Sequence, residues 1–175
     1  MKKIIFITVG FIAIVIVIGV AAFFTYKSLT KESVQIKETT SQNVEDGEKV
    51  IEIIETDAEP VEEEFPMEMS EEAIKDAIHG MSHQKVRADE KWGFIPLTAE
   101  RVNRLITIVE QNKEDYENAS IYLDILNRWS NNDFSQVDHD HNKIWDLQNG
   151  TIGKATGILS SEEEKEFIEE HFDIE

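Results

Sequence analysis

Downstream of Met67, apolar residues recur at the helical period of about 3.6 in five segments, each with recognisable start or stop chemistry. The first opens on Ser70 as N-cap, with Glu71 and Glu72 in the positive end of the helix dipole, and lines Ile74, Ala77, Ile78 and Met81 on one face. Gly80 weakens its second half. A loop through Trp92-Gly93-Phe94-Ile95-Pro96 leads to Thr98, the N-cap of a second segment with Val102, Leu105, Ile106 and Val109 as its stripe and Asn112 as its stop. The third, from about Glu114 to Ser130, is apolar nearly all round at Tyr116, Ala119, Ile121, Tyr122, Leu123, Ile125, Leu126 and Trp129, which predicts a central helix. The fourth runs from Ser135 to Gln148 with Val137, His141, Ile144 and Trp145 on one side and Asn149-Gly150 as its stop. The fifth opens with Ser161 and Glu164, spaced as a capping box, and buries Phe167, Ile168 and Phe172. Strand signals are hard to find, so the pattern predicts an all-α domain over residues 67–175, a small bundle of about five helices.

Upstream the pattern changes twice. Ile4 to Phe24 contains no charge and, as a helix, covers roughly 30 Å, enough to span a bilayer. Residues 1–26 therefore read as a transmembrane signal anchor, and Met1-Lys2-Lys3 places the amine inside and the rest outside. Cleavage after Ala22, in Val20-Ala21-Ala22, is the rival reading and makes the protein secreted. Residues 27–66 carry 12 acidic and 4 basic residues, including Glu62-Glu63-Glu64, and predict a disordered acidic tether. Val50-Ile51-Glu52-Ile53-Ile54 breaks that composition and reads as a transiently ordered linker, a strand for a partner, or a piece that docks on the domain.

Charge and composition narrow the chemistry. With 36 acidic against 17 basic residues the formal charge is −19, which repels phosphate backbones and predicts no nucleic-acid partner. The absence of cysteine excludes disulfides, thiolate metal sites and cysteine nucleophiles.

His79 and His83 stand four residues apart, on one helical face opposite the Ile74, Ile78, Met81 stripe, so they meet water or another element. That spacing can hold a divalent metal, but Gly80 follows His79 where a zinc hydrolase helix needs a glutamate base, and no third ligand has a fixed spacing. A hydrolase built here needs a carboxylate such as Asp140 to converge on the pair. Asp138-His139-Asp140-His141-Asn142 resembles the start of a calcium loop, yet Lys143 occupies the glycine position and Asn149 the position of the bidentate glutamate. On a helix, His141 falls on the apolar face, as a neutral, hydrogen-bonded core histidine does, and it completes the set of candidate metal ligands with His79, His83 and Asp140. Gly150-Thr151-Ile152-Gly153-Lys154-Ala155-Thr156-Gly157 fails as a phosphate loop at Gln148 and Ala155, and reads better as a connection needing left-handed residues. No catalytic motif remains, and Trp92, Phe94 and Trp145 are the candidates for contact with a partner.

The combination His83-Gln84-Lys85-Val86, Lys91-Trp92-Gly93, Asp133-Phe134-Ser135, His141-Asn142, Ile144-Trp145 and Gly150-Thr151-Ile152-Gly153-Lys154-Ala155 resembles a group of small uncharacterised proteins of Bacillus-type Firmicutes. The resemblance covers about Ser70 to Phe172 and implies a membrane anchor with one extracytoplasmic domain of unknown function. It brings no catalytic residue, and Asn149 stands where that group leads one to expect a second glycine. The expectation is a membrane-anchored, non-enzymatic protein without cofactor, whose outer domain binds a protein or cell-envelope partner. The alternative is a metal-dependent envelope hydrolase or metal-binding domain using His79 and His83.

Overall fold

The computed structural model describes residues 33–40, 49–55 and 58–174. The expected anchor, Ile4 to Phe24, lies outside them, and no helix among the described residues is long and apolar enough to cross a membrane. Two features overturn the all-α reading. A hairpin of β1 (Ser33–Thr40) and β2 (Lys49–Glu55) occupies part of the stretch expected to be a disordered tether. Further on, β3 (Val86–Arg87) pairs antiparallel with β4 (Gly157–Ile158), and β5 (Asp173–Ile174) pairs parallel with β1, making a three-stranded sheet of order β2-β1-β5.

The hairpin forms because its apolar positions alternate and its register aligns them. Ile36 faces Ile53 and Glu38 faces Ile51, which puts Val34, Ile36, Ile51 and Ile53 on one side. That side closes on Ile168 and Phe172, and Val34, Ile51 and Ile53 are buried. The patch at Val50 to Ile54 is thus a docked strand, not a transient linker segment.

Six helices, not five, stand among the described residues: α1 (Val61–Glu64), α2 (Glu71–Ser82), α3 (Ala99–Gln111), α4 (Ala119–Ser130), α5 (Val137–Leu147) and α6 (Ser161–His171). The Ser70 and Thr98 side chains accept from the Ala73 and Arg101 amides, as expected of N-caps. The third segment starts later than its apolar pattern suggests. Glu71, at the start of α2, accepts from the amides of Glu117 and Asn118 at 3.0 and 2.9 Å and from the Tyr122 hydroxyl at 2.8 Å, so one helix supplies the cap of another. Its Ile121 and Leu123 are only half-buried, so the helix is not enclosed all round. The fourth segment starts at Val137, because Asp133 binds the Ser135 amide and hydroxyl in a local turn. The capping box of α6 is Ser160 with Glu163, one residue earlier than expected. Glu164 is needed elsewhere.

It forms a buried pair with Lys85 at 2.6 Å, while Lys85 Nζ also donates to the Ile51 carbonyl at 3.0 Å. Burial pushes the Lys85 ammonium below its ordinary range and the Glu164 carboxyl above it. Gln84 donates to Glu164 at 3.1 Å and accepts from the Leu97 amide at 2.9 Å. Arg101, nearly buried on α3, pairs with Glu64 at 2.9 Å and with Glu55 at the end of β2. These polar contacts sew the hairpin and α1 to a helical body whose main core includes Ile74, Ile78, Leu105, Tyr122, Leu126 and Trp129.

Candidate metal centre

Helix α2 continues through Gly80 to Ser82 and brings His79 and, at its C-cap, His83 to one face. That face meets α5. His141 of α5 is fully buried against the pair, with ring centroids 4.5 Å from His79 and 5.4 Å from His83, and the two α2 rings are 4.8 Å apart. One nitrogen from each ring lies within 4.8 Å of the others. Zinc with tetrahedral nitrogen ligands needs them roughly 3.4 Å apart, so the rings must close by up to about 1.4 Å around an ion.

The surroundings set which nitrogens carry protons. His83 Nδ1 lies 2.7 Å from the Gly93 carbonyl, which can only accept, so Nδ1 holds the proton and Nε2 the lone pair. Gln148 donates its amide to Asp76 at 2.7 Å, which turns its oxygen toward His79 Nδ1 at 2.5 Å and leaves Nε2 as that ring's lone pair. His141 Nε2 faces the Gly153 carbonyl at 3.0 Å, so its lone pair is at Nδ1, where the Ser82 hydroxyl meets it at 2.8 Å. Ser82 has a second acceptor, the His79 carbonyl at 2.6 Å, to which it can turn when an ion takes Nδ1. Carbonyl and amide partners behind the rings are the outer supports that orient metal-ligating histidines.

Two left-handed glycines make those supports. Gly93 has φ 77° and Gly153 φ 84°, and a Cβ at Gly153 would strike the Glu90 carbonyl. The loop carrying Glu90 to Gly93 therefore runs between the Gly153 backbone that binds His141 and the carbonyl that binds His83.

Burial lowers the basicity of all three rings, His83 to about 3 and His141 to about 4, with His79 also moved down. Each is neutral near pH 7, the form that binds a metal. The Lys91 charge adds a smaller contribution in the same direction on His83 and His141.

Of the four candidate metal ligands, His79, His83 and His141 converge and Asp140 does not. Asp140 points to α4, where it pairs with Arg128 and accepts from Trp129 Nε1 at 3.0 Å, because successive helical residues diverge by about 100°. Phe94 walls the site, 6.0 Å from His83 and 5.4 Å from Phe167 by ring centroids. Trp145 donates to the Ile152 carbonyl at 2.7 Å and covers Gly150 as part of the loop. Trp92 is 73% exposed and stands apart as a surface residue. Sequence reading assigned no role to Gln148, Asp76 or Lys91, and the left-handed residues it expected in the loop around Gly153 carried no sign of the carbonyls bound to the rings.

A family model matches residues 78–169, more than half of the chain, and describes a family of unknown function, DUF6241. The matched stretch carries all three histidines, Lys91, Gly93, Gln148 and Gly153, and stops short of the hairpin. No curated protein and no solved structure matches the chain.

Proposed function

The chain belongs to this family of unknown function, and from the three imidazoles that its matched stretch carries we propose that the domain binds one divalent metal of the zinc class through His79, His83 and His141. The observation that supports the reading most is the convergence of three neutral rings, drawn from two helices, each with an acceptor on one ring nitrogen and so a lone pair on the other. Three histidines leave the fourth position of a tetrahedral ion open for water or another ligand.

Thermal unfolding of the full chain after chelator treatment tests it. Added zinc should raise the midpoint by several degrees in a saturable way, since an ion at a hundred times its Kd stabilises by about 2.7 kcal/mol. Changing His141 to Gln should remove most of that rise. Equal zinc responses in the wild type and this variant would sink the reading.

A second reading keeps a protein or cell-envelope partner. What supports it is the exposure of Trp92 at 73% and Ile152 at 54%, two large apolar side chains on neighbouring loops. The placement of the domain outside the cytoplasm is read from the apolar run of residues 4–24 and the Met1-Lys2-Lys3 start before it.

A further inference from the structure

An ion held by three neutral imidazoles brings two positive charges that its ligands do not cancel. The nearby carboxylate, Asp76, sits behind His79 at one remove, bound to Gln148. On the other side stands a cation. Lys91 lies on the loop between the two carbonyl supports, and its Nζ rests 4.2 Å from the centroid of the Phe167 ring. Among the described residues it makes no ion pair; Glu163, whose charge reaches it weakly, is committed to Arg87 at 2.7 Å. A metal at the three rings and this ammonium would share one aromatic wall, with Phe94 standing 6.0 Å from His83 and 5.4 Å from the Phe167 ring under Nζ, and their like charges favour an anion between them. Phe94, Phe167 and His171 pack with ring centroids 4.1 to 5.4 Å apart, Phe167 and His171 stacked and Phe94 edge-on or tilted to them.

We propose that the open metal position takes an oxyanion, a carboxylate or phosphate oxygen, clamped between the metal and the Lys91 ammonium. This rests on the metal reading above. Lys91 is then a specificity residue: it supplies the second charge that selects an anionic ligand over a neutral one. Burial and the Arg87 charge hold its pKa down at about 8, still largely protonated at neutral pH.

Cobalt(II) is the probe, because its visible d–d bands report the ligands directly. The full chain loaded with cobalt is titrated with sodium acetate and, separately, with inorganic phosphate, at ionic strength held constant by perchlorate. A saturable change in the bands is expected, with the stronger of the two anions naming the ligand class. Lys91→Gln should weaken that anion by about tenfold or more while cobalt still binds, and Lys91→Arg should restore most of it. Cobalt binding that depends on the histidines but ignores both anions, or anion affinities equal in wild type and Lys91→Gln, would overturn the clamp and leave the metal site standing. Absence of histidine-dependent cobalt bands would remove both.

Discussion

The described residues form two apolar cores, and they are built by different rules. The larger one, around Tyr122, Leu126 and Trp129, is closed by helices whose stripes meet face to face, with caps and turns supplying the ends. The smaller, of Val34, Ile51, Ile53, Ile168 and Phe172, exists only because a strand hairpin from one end of the described chain covers a helix from the other. Around it lie the costly polar groups: Lys85 and Glu164 buried together, and Arg101 held by Glu55 and Glu64. A large core can lose a contact and remain closed, whereas a small one depends on its polar frame.

Removing the hairpin is the harshest way to break this contrast. A chain starting at Met67 leaves Ile168 and Phe172 uncovered and strips Arg101 of Glu55 and Glu64, so it should lose on the order of 5 kcal/mol against the full chain. Urea unfolding measures this, and an unchanged midpoint would mean that the smaller core is dispensable. A narrower cut is Glu164→Gln. It strands a buried ammonium and should cost about 3 to 5 kcal/mol, while pairing Lys85→Met with Glu164→Leu should recover most of the loss. Equal stability of the single and double variants would contradict that account.

The smallest effect lies at the seam, where Phe94 of the smaller cluster meets His83. With folded-state pKa values of about 3 and 4 for His83 and His141, below the unfolded value near 6.5, the unfolded chain binds more protons as pH falls. Their stabilisation is complete above about pH 6.5 and is lost below it. The metal-free protein should lose on the order of 3 kcal/mol between pH 7 and pH 5, and His83→Gln should flatten the slope. A thermal midpoint indifferent to pH over that window, in wild type and variant alike, would exclude protonation of these rings as a cause.

The same contrast explains what was legible in the sequence. The helices of the larger core announce themselves by period and cap, and Ser70 and Thr98 stand where expected. The hairpin does not, since the acidic residues between its short apolar positions give the composition of a disordered segment. The alternation at Val34 and Ile36 and again at Ile51 and Ile53 was there to read, but two residues per strand make a weak signal. Strands β3, β4 and β5, at two residues each, carry no period at all. At the histidine cluster the His79 and His83 pair follows from helical spacing, whereas His141 joins it through the packing of α2 on α5, which no local spacing encodes. The charge of Asp140 suggested a ligand, and its place one residue before His141 turned it to Arg128.

The parallel pairing of β1 with β5 also has a bearing on synthesis. The first described strand is made well before its second neighbour, so the sheet cannot be completed until Asp173 and Ile174 have been added. Until then Ile51 and Ile53 have no α6 to lie on, and an acidic, sparsely apolar stretch is a soluble way to wait.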